Sequence, residues 1–140
     1  MTFSVVDTVP WHIWYVADNL RDAQKQAAEH LGVPVRETLM RMAAASAFVR
    51  TWFRDDEPIG VGGVTGTMLS SQGRIWLALT NAAERYPVEM MRTARRELDL
   101  LNMKLATDVF NDDLAAIRFA EHLGFRSVKS GEHLTAYEVG

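Results

Sequence analysis

Asn111, Asp112 and Asp113 stand in a row ahead of an amphipathic stretch, and each carries a side-chain oxygen that can accept from the free N–H groups of a helix start. A second helix start lies upstream. Pro87 fits a first helical position. The residues after it present unpaired N–H groups and the positive end of a helix dipole, which is the chemistry of an anion site. Arg85, Arg92 and Arg96 could add side-chain contacts there. They read more simply as a solvated helix face, because Glu89, Glu97 and Asp99 surround the cluster of Arg92, Arg95 and Arg96.

Other chemistries are set aside by residue type or spacing. The chain has no Cys, which excludes a disulfide scaffold, a thiolate metal site and a cysteine nucleophile together. His12, His30, His122 and His133 are too scattered for a helical metal pair, and no H-E-x-x-H occurs, so no metal is expected. His30 sits near a helix C-terminus, a sufficient structural reason for it. Residues 60–66 (GVGGVTG) superficially look like a dinucleotide loop, yet they lie inside a strand with no helix after them. Glycines there suit a bulge or a close backbone approach. Trp11, Trp14 and Trp52 read as core residues rather than a base-stacking platform.

Composition bounds the partners. A net charge of −3 and a pI near 5.8 give no electrostatic reason to expect nucleic acid. The N-terminus lacks a charged region followed by an apolar run, so no signal peptide is predicted. No window approaches the ~20 apolar residues of a membrane span. The expectation is a soluble protein of one domain, 1–140, with no repeat, linker or low-complexity segment.

The elements that must position these residues follow from the period of the apolar pattern. Residues 3–6 form a short β-prone run, ended by Asp7 and Pro10. Helix is predicted over 11–20 and over 21–31, either as one bent helix or as two, with Gly32 as the stop. Pro34 and Val35 open another helix, in which Leu39, Met42, Ala43 and Ser46 share a face. Strands follow at 47–53, 59–68 and 74–80, with turns at 55–58 and 70–73, an antiparallel meander. Residues 81–86 read as a polar loop. The helix over 88–101 buries Met91, Ala94, Leu98 and Leu101, and 105–110 is the next strand. In the short helix after Asp113, Ala116, Phe119, Ala120 and Leu123 make one apolar stripe, with Arg118, Glu121 and His122 pointing away. Gly124 sits where a left-handed cap is wanted. Strands at 125–128 and 135–139 end the chain.

Asp113, Ala116 and Gly124–Phe125 resemble the last motif of the GNAT acyltransferase superfamily, N-x-x-A-(x)7-G-F, with Asp113 in place of its Asn and Asn111 two residues away. The element order matches that family from the first strand to the last. The resemblance implies an α+β fold with a mixed, mostly antiparallel twisted sheet of about six to seven strands flanked by helices. Its order would be β-α-α-β-β-β-α-β-α-β-β, with one right-handed parallel crossover through the helix over 88–101. Within that superfamily the chain is most similar to phage-encoded acetyltransferase-like proteins, which include the small internal virion protein of short-tailed phages. Asn19-Leu20-Arg21-Asp22-Ala23 resembles that family's N-L-R-x-A/D stretch. Residues 57–64 (EPIGVGGV) resemble its E-P-V-A-x-x-G-V strand, 76–80 with 84–86 its W-L-L-G-T…E-R-H, and 116–120 its A-I-R-W-L.

The resemblance implies a site. Members of the superfamily move an acetyl group from acetyl-CoA to an amine with three pieces of machinery. A Q/R-x-x-G-x-G/A loop wraps the diphosphate, a backbone N–H of the fourth strand polarises the thioester, and a Tyr ahead of G-F protonates the thiolate. Carried over, the cofactor-binding positions are Leu79, Thr80, Arg85, Val88, Arg92 and Asp113. Glu84 is a candidate base for the amine, and Tyr86 a candidate acid beside Tyr137 and His122. The departures are large. Arg85 stands for the leading Q/R, but the glycine positions fall on Val88 and Met90, and the Tyr position on Ala120. Two lost hydrogen bonds of about 1.5–3 kcal/mol each weaken cofactor binding, and a lost general acid removes about 10²–10⁴ in rate.

Two functions follow. One is a catalytically degenerate protein acting by contact with a virion or host protein, located in the host cytoplasm and the virion. The other is an active N-acetyltransferase using acetyl-CoA. The lost glycines and Tyr favour the first; the fold and the surviving helix start carry the second.

Overall fold

The computed structural model describes residues 2–66, 72–101 and 103–140. The end of the strand read over 59–68 and the start of the turn at 70–73 lie outside these. The chain runs β1 (Phe3–Asp7), α1 (Pro10–Asp18), α2 (Asp22–Leu31), α3 (Val35–Ala45), β2 (Ser46–Arg54), β3 (Glu57–Thr65) and β4 (Gln72–Leu79). It continues through a 3-10 turn (Asn81–Arg85), α4 (Pro87–Asp99), β5 (Lys104–Phe110), α5 (Leu114–His122), β6 (Arg126–Ser130) and β7 (Leu134–Val139). The seven strands among the described residues form one sheet in the order β1-β2-β3-β4-β5-β7-β6. β4 and β5 pair in parallel, and the other neighbours pair antiparallel. The expected mixed, mostly antiparallel α+β sheet is what forms.

Three helices, not two, separate β1 from β2. Of the two alternatives over 11–31, two separate helices form, parted at Leu20 and Arg21. Leu20 makes an isolated antiparallel bridge with Thr80, and the Arg21 N–H donates to the Leu79 carbonyl at 2.8 Å. Backbone groups committed to a strand cannot also serve a helix ladder. The residues read as a polar loop at 81–86 also differ, because 81–85 close into a helical turn.

Alternate residues of β4 face opposite sides of the sheet. Trp76 and Ala78 meet Ile13, Val16 and Leu39 of α1 and α3 on one side. Leu77 and Leu79 meet Met90 and Ala94 of α4, with Trp52 and Ile59, on the other. α5 packs Ala120 with Val64, Leu105, Val109, Phe125 and Tyr137. Of the stripe expected for α4, Ala94 is buried and Leu98 and Leu101 pack on the core, but Met90 rather than Met91 completes it, Met91 being only partly buried. Trp52 is a core residue, whereas Trp11 and Trp14 are 48% and 43% exposed. α1 turns Ile13 and Val16 inward instead.

The glycine-rich run of β3 is explained by closeness. A Cβ on Gly63 would lie 2.9 Å from the Phe48 carbonyl oxygen and 3.0 Å from Trp76 Nε1. Asp113 caps α5 by accepting from the Ala116 N–H at 3.2 Å. Gly124, at φ 95°, turns the chain out of α5 so that Phe125 N–H reaches the Ala120 carbonyl. Asn111 does not cap. Its side chain ties down the β6–β7 turn through the carbonyls of Gly131 and Glu132 and the Thr135 hydroxyl.

Candidate functional site

β4 and β5 stay together for three residue pairs and then part. The parallel register joins Gln72 to Lys104, Gly73 to Leu105 and Arg74 to Ala106. One side-chain bond, Thr107 Oγ1 to the Ile75 carbonyl at 3.1 Å, continues the seam. No ladder pairing links Trp76–Leu79 to Asp108–Phe110. A wedge therefore opens between the strands, with the 3-10 turn and the start of α4 at the end of β4 and the start of α5 at the end of β5.

An unpaired strand edge inside a domain must find partners for its N–H and C=O groups. In this wedge they come from the α1–α2 segment. The Gln24 carboxamide is used at both ends. Its Nε2 donates to the Leu77 carbonyl at 2.7 Å, and its Oε1 accepts from the Leu79 N–H at 2.8 Å. With the Arg21 N–H on the Leu79 carbonyl, this copies the pattern a neighbouring strand would make. The Asp22 N–H adds a bond to Asn81 Oδ1 at 3.1 Å.

Arg21 then spans the wedge. Its guanidinium is buried, donates through Nη2 to Asp113 Oδ2, and lies 3.5 Å from Glu84 Oε1 through Nη1. Asp113 is equally buried, whereas the Glu84 side chain is half exposed. Arg21 Nε is buried without a partner among the described residues. The far end of α2 is held as well, with the His30 ring against those of Phe110 and His133.

The candidate residues divide around this arrangement. Glu84 and Asp113 are brought together through Arg21. Leu79 has its backbone edge filled by Gln24 and Arg21, while the Thr80 N–H and hydroxyl both turn to the Ile59 carbonyl on β3. Tyr86 points elsewhere. Its hydroxyl accepts from Arg54 Nη1 at 2.9 Å, and the Arg54 guanidinium lies over its ring. That hydrogen bond raises the Arg54 pKa. Arg85, Val88 and Arg92 are exposed around the start of α4, and Met90 is buried beneath it. Ala120 lies in the core and brings no donor. Tyr137 is buried on β7, and His122 is exposed, with its carbonyl accepting from Arg95. Sequence reasoning missed Gln24 altogether and gave Arg21 no role. A single Gln on a polar helix carries no local signal, and the buried Arg becomes visible only beside Asp113.

Beside the wedge lies a cleft of about 480 Å³, lined by Tyr15, Asp18, Asp22, Lys25, Glu29 and Glu57 among others. Asp18 is partly neutralised by Arg36 at 2.6 Å. Among the described residues no group of three His, Asp or Glu side chains is placed to hold a metal ion. Nor is any described helix long and apolar enough to cross a membrane.

No protein-family model matches the sequence, and no curated protein matches it. Solved structures do match in shape. An acetyltransferase from Thermus thermophilus superposes with a TM-score of 0.70 at 17% identity, covering 99% of this chain and 97% of that one. The PaiA N-acetyltransferase of Thermoplasma acidophilum, crystallised with coenzyme A, gives 0.69 at 11% identity over 99% and 98%. The chain has the GNAT fold. An aminoglycoside acetyltransferase in complex with coenzyme A has the same fold, with a TM-score of 0.68 at 18% identity over 99% and 94%. At such identities the shared property is the GNAT architecture itself.

Proposed function

We propose that this chain is an acetyltransferase-like member of the GNAT superfamily that has lost the usual acetyl-CoA machinery and acts by protein contact, in the virion or during phage assembly. The observation that carries the loss is the start of α4. Where a diphosphate needs close backbone approach, Val88 stands exposed with a branched side chain and Met90 fills the core below it. The residues present do not fit coenzyme A in the usual way. The Leu77–Leu79 edge is bonded within the chain, and Ala120 supplies no proton. The phage assignment is supported by the residue strings at 19–23, 57–64, 76–86 and 116–120. Titration with acetyl-CoA to millimolar concentration should give neither heat nor a thermal shift. Saturable binding well below that concentration would overturn the reading.

A second reading is an active N-acetyltransferase. The wedge favours it, since β4 parts from β5 along the strand on which the resemblance puts the thioester-polarising N–H. The carboxylate-lined cleft also favours it, because it suits a cationic amine. Turnover of a generic amine acceptor with acetyl-CoA, abolished by Arg85→Ala, would establish this reading in place of the first.

A further inference from the structure

We infer that the α1–α2 segment is a built-in occupant of the β4–β5 wedge, with Gln24 as the latch that closes the edge of β4 to any extended, amide-bearing ligand. The inference rests on the GNAT reading above and adds a cause to it. The edge is shut by this chain's own side chain, not only by the filled-in start of α4. Three features carry it. The Gln24 carboxamide meets one acceptor and one donor of β4, the Leu77 carbonyl and the Leu79 N–H, at 2.7 and 2.8 Å, as a peptide group of a neighbouring strand would. Leu20 and Arg21 extend the same pairing to Thr80 and the Leu79 carbonyl. The segment is also anchored across the gap, by Arg21 on Asp113 and by His30 against Phe110 and His133.

α2 has the character of a strap. None of its ten residues is fully buried, so its position is set by these polar attachments and end contacts rather than by an apolar face. A ligand amide pairing with β4 would need the same two backbone groups, and Gln24 must leave before it can bind. Occupant and ligand therefore compete for one edge.

The test compares Gln24→Met, which keeps the bulk and the helix preference of the side chain, with Gln26→Met, an exposed position on the same helix. Far-UV circular dichroism first establishes that both variants fold. Amide hydrogen exchange at Leu79 should speed up about tenfold or more in Gln24→Met, since its acceptor is gone, and stay unchanged in Gln26→Met. Coenzyme A, titrated into each protein, should bind Gln24→Met at least about tenfold more tightly than the wild type. Continued protection of Leu79 in Gln24→Met, or equal acceleration by Gln26→Met, would overturn the latch. So would unchanged coenzyme A binding in an opened edge, and in that case the proposed loss of machinery at α4 still stands. Tight binding to the wild type would instead remove the proposed function.

Discussion

Removing the carboxylate of Asp113 leaves the buried Arg21 guanidinium with only the half-exposed Glu84 at 3.5 Å, and its Nε is already without a partner among the described residues. Breaking a buried pair from one side leaves a charge that a partly solvated carboxylate compensates poorly. Asp113→Ala should therefore cost about 3–5 kcal/mol in urea unfolding, plus about 1 kcal/mol for the lost cap of α5. Arg21→Met with Asp113→Ser removes both charges and keeps a capping oxygen, so the double variant should recover most of that loss. If its cost equals the sum of the single changes, the two residues are not coupled. His12 gives a pH dependence. Its Nδ1 accepts from the Val9 N–H and contacts the Thr51 hydroxyl, and burial lowers its pKa below the ordinary 6.5. The unfolded chain then takes up this proton before the folded one does. The stabilising contribution is complete above about pH 6.5 and fades as the pH falls below it. His12→Asn keeps an acceptor for Val9 but cannot titrate, so thermal unfolding should depend less on pH between about 7 and 5. An unaltered slope would show that His12 is not responsible.

Among the elements, the meander β2–β3–β4 is closely packed at Gly63. Gly63→Ala would push a methyl against the Phe48 carbonyl and the Trp76 indole, which donates to Ser46 Oγ at 2.8 Å. A loss of about 1–3 kcal/mol is expected, with a changed near-ultraviolet signal from Trp76. A neutral outcome would mean that the strands have slack there. At this scale much was readable from the sequence, because the boundaries are written in residues with local consequences. Pro87 at the first turn of α4, Asp113 as a cap and Gly124 beyond α5 act within a few positions of themselves. The break at Leu20–Arg21 was not readable, because its cause is the distant end of β4. The burial of Met90 in place of Met91 and the exposure of Trp11 and Trp14 were missed for a related reason. The helical spacing is satisfied by more than one face, and only the sheet decides which one turns inward. The candidate site was readable as far as its frame, the positions at the end of β4 and the start of α4. Its contents, Gln24 and Arg21, were not.

The whole molecule is a sheet of two halves, each continuous in sequence. β1–β4 come from residues before the 3-10 turn and β5–β7 from residues after α4, and three parallel register pairs join them. That short seam matters for the order of assembly. Arg21 and Asp113 lie 92 positions apart, so their contact closes a long loop and is entropically dear until both halves exist. Such a contact belongs late on the folding route, after the rate-limiting barrier. Asp113→Ala should consequently leave the refolding rate near that of the wild type and accelerate unfolding by about three to four orders of magnitude. Stopped-flow chevrons separate the two arms, and a shift confined to the refolding arm would place the contact early instead. A newly made chain would thus carry its arginine hydrated for as long as the partner acid remains unsynthesised, and the ion pair would act as the fastener that slows the finished protein from coming apart.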